Sequence, residues 1–339
     1  MKVAVYSINL SFFGPIADAL RRAGHEVLFW EEKEALENGL QIGRLNEWAD
    51  IAFFEFCQTP MPIVLNCARK KNLLTVARMH RIEMYNNLTE DKNFDWSRLD
   101  ITLFSAKHVT ERFIEKRNGL TKPVTMITAE TNIVDPEQYK YRERKWKPPF
   151  RIAMIGNFVP KKRQYTTIQM MYDLEKKFPG QFKLDIVGIR GSWNGYGNPE
   201  YYQNCKDLIE ELRLENNVRI FNKIDHDQIP EFLAGKHVIV SNSNEEGTHV
   251  AIAEGGCTGC LPFVNAWRGA RDVYPDAFRF HSPGDFIALC EDMFTPNGKR
   301  LDHISEKISK KFHAKYCDLG KYDRLVKILE KAHKEKVSK

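Results

Sequence analysis

No apolar run in the 339-residue sequence approaches the about 18 residues that a helix needs to cross a bilayer, which excludes a helical membrane span. The opening stretch MKVAVYSINL lacks a basic segment followed by a small-residue cleavage site, so the chain is expected to stay in the cytoplasm. Glycine (20) and proline (15) are modest beside 42% hydrophobic and 28% charged residues, which excludes a disordered or collagen-like polymer. Paired cysteine signatures are missing. The seven cysteines, Cys57, Cys67, Cys205, Cys257, Cys260, Cys290 and Cys317, are odd in number and scattered, which does not suit a disulfide framework. Cys257 and Cys260 spell CxxC, but no second pair follows at zinc-finger spacing, so no metal is expected there. The first apolar run is followed by INLSFFGP and not by G-x-G-x-x-G, which weighs against a nicotinamide dehydrogenase.

What is present is length for two cores and a regular alternation of strand and helix. VAVYSI, DIAFFEF, LLTVARM and ITLFSA are short apolar runs without polar alternation, as in strands buried on both faces, and helical stretches such as IADALRRAGHEV and VTERFIEKR separate them. The charged segment KYRERKWKPP, residues 140–149, reads as a linker. After it a second series begins with RIAMIGN, KLDIVG, VRIFN, HVIVSNS and LPFVNA, again interleaved with helices. The expected organisation is α/β with two Rossmann-like βαβ domains facing across a cleft: residues 1–148, residues 149–312, and a terminal helix over 313–339 expected to pack back toward the first domain. The formal charge of +6 is local. Residues 305–339 hold eleven Lys or Arg against five Asp or Glu, and the rest of the chain balances. A diffuse basic surface for nucleic acid is therefore not expected. Tyr322, Leu325, Val326 and Leu329 form one apolar stripe expected to pack, leaving lysines outward for weak, salt-sensitive contact with an anionic membrane.

The richest segment is SNSNEEGTHVAIAEGGCTGCLPFV, residues 241–264. A strand leads through a polar turn into a helix starting near Gly247, so the amides of Gly247, Thr248, His249 and Val250 form an anion site. Glu246 precedes them and Glu254 follows eight positions later, about two helical turns on. Two carboxylates flanking a phosphate-sized space suit a ligand with hydroxyls at both ends, such as a nucleotide sugar.

Glu246, Glu254 and the Gly259–Pro262 run GCLP resemble the retaining GT-B glycosyltransferases of family 4. The resemblance implies that Glu246 holds the donor sugar and Glu254 the ribose hydroxyls, and that His249 stands beside the sugar where the family has Gly. IGNFVPKKR, residues 155–163, is similar to the family's diphosphate-binding loop after Gly156. Lys162 takes the Lys position, Asn157 replaces the usual Arg, and either Lys161 or Arg163 supplies the missing charge or the diphosphate is held less tightly. TNIVDPEQY, residues 131–139, resembles the family's hinge, with Asn132 and Asp135 structural. NNVRIFNKIDHDQIPEFLA, residues 216–234, resembles the base-contacting segment, at Lys223 and Ile224. In the N-terminal half, a strand over Leu74–Met79 leaves His80 at its carboxyl end, where the family has a His that contacts sugar or phosphate. Arg81 and Glu83 beside it, and Gly14 in the first loop, are expected to meet an acceptor.

The resemblance implies transfer of a sugar from a nucleoside diphosphate donor to a hydroxyl of a glycan, a lipid-linked glycan or a small molecule, with retention of configuration and without metal or cofactor. The physical task is to stabilise the departing diphosphate with preorganised positive potential from Lys162 and the amides of residues 247–250. His80 and Glu246 would position, and the leaving phosphate would take the acceptor proton. A nucleotide-sugar-binding protein without transferase activity and a GT-B epimerase or phosphorylase are the alternatives.

Overall fold

The computed structural model describes every residue except 8, 11, 32–34, 59, 68, 86, 130–131, 192–196, 222–223, 296–299 and 339, with backbone alone at 35–38, 85 and 87. The contacts divide the chain into two compact units, Met1–Asn132 with Leu319–Lys339, and Ile133–Asp318.

In the first unit the strands are β1 (Lys2–Tyr6), β2 (Glu26–Phe29), β3 (Ile51–Glu55), β4 (Leu74–Met79), β5 (Ile101–Phe104) and β6 (Thr125–Thr128). They form one parallel sheet in the order β2-β1-β3-β4-β5-β6. Helices α1 (Gly14–Arg22), α2 (Ala35–Trp48), α3 (Pro60–Asn66), α4 (Asn87–Glu90) and α5 (Lys107–Lys116) connect them. β3, β4 and β5 are buried at every position, as their unbroken apolar runs require in a sheet covered on both faces. A core of Tyr6, Phe54, Met79, Trp96, Phe104 and Phe113 fills one side.

In the second unit β7 (Phe150–Ile155), β8 (Phe182–Val187), β9 (Val218–Phe221), β10 (Val238–Ser241), β11 (Leu261–Asn265) and β12 (Arg279–Phe280) form a parallel sheet in the order β12-β11-β10-β7-β8-β9. Its helices are α6 (Gln164–Lys177), α7 (Pro199–Glu211), α8 (Ile229–Ala234), α9 (Val250–Thr258), α10 (Ala270–Val273), α11 (Pro283–Phe294) and α12 (Leu301–Tyr316). The chain steps from β7 outward to β8 and β9, then returns to the other side of β7 as β10. Loops that leave neighbouring strands in opposite directions leave a crevice beyond their carboxyl ends, here after β7 and β10. The small-residue run on α9 is a packing device. A Cβ on Gly255 would lie 2.6 Å from Ile239 Cγ2 and one on Gly256 2.1 Å from the Phe312 ring, so α9 sits tightly between β10 and α12.

Two boundaries fall elsewhere than the sequence suggests. Residues 133–148 pack as part of the second unit, where Val134 N donates to Tyr316 O (2.9 Å) and Arg142 N to Thr258 O (3.0 Å). The charged segment around residue 144 is thus a strap whose Arg144 Nη2 also reaches Thr258 O (2.8 Å), an interaction that charge density alone does not reveal. The terminal helix α13 (Gly320–Val337) belongs to the first unit. Its stripe of Tyr322, Leu325, Val326 and Leu329 is buried, and His25 Nε2 meets Glu330 Oε1 at 3.1 Å. No described helix is long and apolar enough to cross a membrane.

Candidate functional site

In the second unit the crevice between the β7 and β10 loops gathers most of the donor-side residues. After β7 the chain makes a tight 3-10 turn over Pro160–Lys162 and passes through Arg163 in the left-handed conformation (φ 57°) before entering α6. A non-glycine residue held there stores about 1–2 kcal/mol of strain, and the turn folds the Lys162 stem back over Gly156, whose Cα faces Lys162 Cδ and Cε. Lys162 Nζ thereby donates to Glu246 Oε1 across the crevice. Asn244 N donates to Lys161 O (2.9 Å), tying the two loops together by backbone while the Lys161 side chain is exposed.

Glu246 is buried. Burial opposes its ionisation, but positive charge at His249 and Lys162 and the hydrogen bond from Lys162 outweigh it and bring its carboxyl down to about 2. It is therefore a carboxylate at neutral pH, able only to accept hydrogen bonds. Beyond it Gly247 and Thr248 lead to α9, whose N-cap His249 makes no side-chain cap; Ile252 N and Ala253 N donate to His249 O (3.0 and 3.3 Å), and the amides of Val250 and Ala251 precede the intrahelical ladder and face the N-terminal end. A cation and a helix N-terminus converge on one end of the crevice and a carboxylate stands beside them. This arrangement takes an anion bearing hydroxyl groups.

Several of the expected residues are engaged within the unit. The His249 ring is buried within the unit, with Nδ1 3.8 Å from Glu246 Oε1. Burial, then Lys162, pushes it down to about 4, and Nδ1 lies 2.8 Å from Ser241 Oγ while Ile155 supplies a backbone hydrogen bond. Asn157 is engaged within the second unit itself: Ile189 N donates to its Oδ1 (3.5 Å) and its carbonyl accepts from Gln164 Nε2 (2.8 Å). Glu254 is buried one turn inside α9 and its Oε1 meets His226 Nε2 at 3.0 Å, with Tyr139 Oη 3.4 Å from the same nitrogen. The Glu254 hydrogen bond raises the His226 pKa above the ordinary value, against the opposing effect of burial. Ile224 packs half-buried against the core, and Lys223 lies outside the described residues. Asp225 and Asp227, in the turn with His226, are exposed.

Three residues of this crevice escaped the sequence reading. His226 and Tyr139 stand inside segments singled out for other residues, and their convergence on Glu254 is a tertiary fact. Gly188 is a steric requirement. A Cβ there would sit 2.1 Å from Gly156 O, because Gly156 N donates to Val187 O and Phe158 N to Ile189 O, which draws the two loop backbones together. A Gly directly after the strand KLDIV was the available signal.

In the first unit His80 does lie at the carboxyl end of β4. Phe56, at the end of β3, takes a left-handed backbone (φ 68°) and stacks its ring on the imidazole, with centroids 4.2 Å apart. His80 Nε2 is 3.0 Å from Glu55 Oε1, and Arg78 clasps both Glu55 oxygens at 2.5 and 2.7 Å while donating to Phe12 O at 3.0 Å. Burial disfavours the Glu55 carboxylate, but Arg78 and His80 hold its pKa below the ordinary range. Burial and Arg78 push His80 down against the pull of Glu55. A neutral imidazole beside an ionised carboxylate carries its proton on Nε2 and leaves Nδ1 as an acceptor. Glu83 departs from its expected acceptor-facing place. It is fully buried, and its oxygens accept from Cys57 N (3.1 Å) and His80 N (3.0 Å), so it braces the loop while burial raises it to about 8. Arg81 is half-buried on the same turn. Gly14 is exposed at the start of α1, with nothing within 4 Å of a would-be Cβ, so no close approach of backbone demands a glycine there.

Comparison with known proteins agrees with this geometry. Residues 136–287 match the family described as glycosyl transferases group 1, a segment that spans the crevice residues of the second unit. Among solved structures, the chain is similar to a glycosyltransferase from Rickettsia africae at 15% identity and TM-score 0.74, covering 99% of this chain and 98% of that one. It is also similar to Anabaena HepE in complex with UDP and glucose, at 14% identity, TM-score 0.69 and 98% and 100% coverage. TarM of S. aureus aligns at 15% identity and TM-score 0.66 over 87% of this chain, which spans 57% of TarM's length. No curated protein matches the sequence. Identities at this level establish the fold. It is GT-B, with two Rossmann-like units each built on a six-stranded parallel sheet.

Proposed function

We propose that the protein is a retaining glycosyltransferase of the family 4 type, which moves a hexosyl group from a nucleoside diphosphate sugar to a hydroxyl acceptor without a metal ion. The observation that carries this reading is the Lys162–Glu246 pair set beside the N-terminus of α9 at the crossover of the second sheet. A donor diphosphate drawn to the α9 amides would take Lys162 from Glu246. The freed carboxylate, ionised down to about 2, would accept hydrogen bonds from sugar hydroxyls. Lys162 and the amides then stabilise negative charge developing on the leaving diphosphate, a contribution of about 3–4 kcal/mol per well-aimed donor. His80, neutral and acceptor-bearing at Nδ1, positions a hydroxyl, and the departing phosphate takes the acceptor proton. Glu254 binds ribose hydroxyls after exchange with His226, and the backbones of Gly247 and Thr248 line the phosphates.

HepE is described with UDP and glucose, which favours a UDP-sugar as the first donor to try. The acceptor is a glycan, a lipid-linked glycan or a small molecule, reached in the cytoplasm or at the inner face of a membrane through the lysines of α13. The test is incubation with UDP-, GDP- and ADP-sugars, with and without chelator, while donor cleavage and the anomeric configuration of the product are followed by NMR. Turnover with retained configuration, undiminished by chelator, is expected. Inverted product, or turnover lost with chelator, would replace this mechanism with another.

A further inference from the structure

The second unit holds a side-chain cluster that the proposed reaction does not use and that does not depend on it. Cys257, in the last turn of α9, places Sγ 3.6 Å from Sγ of Cys317, the residue that caps α12. A ring nitrogen of His313 and the two sulfurs all lie within 4.8 Å of one another. His313 and Cys317 are four residues apart at the end of one helix, the spacing that puts two side chains on one face and that helical metal sites use for paired ligands. The third group comes from a different helix, so the cluster joins two elements.

Three features fit a thiophilic cation better than a chance contact of thiols. Two thiolates bound to one tetrahedral centre at about 2.3 Å stand about 3.8 Å apart, close to the separation observed. His313 Nε2 lies 3.0 Å from Tyr139 O and 3.2 Å from Cys257 O, so this nitrogen carries the proton and donates to backbone carbonyls. That fixes the tautomer with a lone pair on Nδ1 and is the outer hydrogen bond that metal-ligating histidines make. The backbone at Cys257 is further held by Ser309 Oγ, which donates to its carbonyl at 2.6 Å.

We propose that Cys257, His313 and Cys317 form a zinc site. Thiolate and imidazole together select a soft or borderline divalent cation over magnesium or calcium. The ion binds as Zn²⁺ and displaces one proton from each thiol. Two thiolates and one neutral imidazole leave a fourth position for water. The site clamps the carboxyl end of α9 to that of α12. Because Glu254 lies one turn before Cys257 on α9, the metal steadies the helix whose other end faces the crevice.

The test uses the full chain, reduced, stripped with chelator and passed through gel filtration. Titration with Zn²⁺ against a chromophoric chelator, and with Co²⁺ while the thiolate-to-cobalt charge-transfer band is followed, is expected to show one equivalent per chain and a raised melting temperature. Cys317→Ser and His313→Gln should each weaken binding, the first by more than about 100-fold, beyond what loss of an outer hydrogen bond does. Cys260→Ser, whose sulfur lies outside the cluster, should bind as wild type. Cys317 is only half-buried at a helix end, so its variant can be checked for a folded, metal-free melting transition even where a Cys257 variant fails to fold. Absence of a charge-transfer band in the folded wild type, or unchanged affinity in Cys317→Ser, overturns the proposal.

Discussion

The two units gather charge at the carboxyl end of a parallel sheet in opposite ways. In the first, Arg78, Glu55 and His80 are buried and bonded to one another, roofed by Phe56, and Glu83 is sealed beneath them. In the second, one cation and one carboxylate meet across a crevice at the mouth of a helix, with His249 Nδ1 3.8 Å from the same carboxylate oxygen. A closed network fixes the tautomer and orientation of a single side chain. An open pair can be exchanged for a ligand. The comparison teaches that the charges of the second unit are arranged as an exchangeable pair and those of the first as a fixed network, which is the difference the proposed function uses.

The strongest way to break this comparison is Arg78→Met. It leaves the buried Glu55 carboxylate without its partner, and urea denaturation is expected to show a loss of about 3–5 kcal/mol. Lys162→Met should cost less, about 1–3 kcal/mol, because His249 Nδ1, 3.8 Å from Glu246 Oε1, still faces the carboxylate and can take up a proton beside it. Equal losses would erase the distinction between closed and open sites.

Next in size are opposite pH responses. Between pH 6.5 and about 4 the unfolded chain takes up a proton that folded His249 refuses, so stability falls as pH falls, by up to about 3 kcal/mol. Glu83, raised to about 8, keeps a proton that the unfolded chain releases from pH 4.5 upward, so its contribution is lost as pH rises toward 8. Urea midpoints of His249→Asn and Glu83→Gln across that range should flatten the acid limb and the alkaline limb respectively. A limb left unchanged by its own variant would remove that residue from the account.

Glycines give the smaller contrasts. Gly188→Ala drives a methyl into Gly156 O and is expected to cost about 1–3 kcal/mol, with weaker donor binding because the β7 loop must shift. Gly14→Ala meets nothing and should change stability by no more than about 0.5 kcal/mol in thermal denaturation.

What the sequence made legible was local. Apolar runs without alternation marked the strands of both sheets, and the limits of β4 and the position of His80 at its end followed from LLTVARM and the polar residue after it. The helix beginning after SNSNEEGTH was legible from the switch of period, and with it the end of the crevice that holds Glu246. What was hidden depended on partners distant in sequence. Glu83 reads as a surface acid in HRIEMY until the 3-10 turn aims it at the amides of Cys57 and His80. Asn157 reads as a ligand-facing residue until Gly188 brings the β8 loop against it. Residues 140–149 read as a linker because charge density hides the bonds, such as Arg142 N to Thr258 O, that bind the segment to α9. The engagement of Glu254 by His226 and Tyr139 joins three segments that no spacing rule connects.

The central claim is that the Lys162–Glu246 crevice binds a nucleoside diphosphate sugar. Calorimetric titration of wild type, Lys162→Ala and Glu246→Gln with UDP-, GDP- and ADP-sugars tests it most directly, with urea denaturation confirming that each variant is folded. The account predicts that at least one donor binds wild type and that Lys162→Ala weakens it by at least about tenfold, the loss of one charge-assisted contact. It also predicts that Glu246→Gln weakens the nucleotide sugar more than the free nucleotide. Binding of equal strength in all three proteins, or no binding of any donor to the folded wild type, would contradict it.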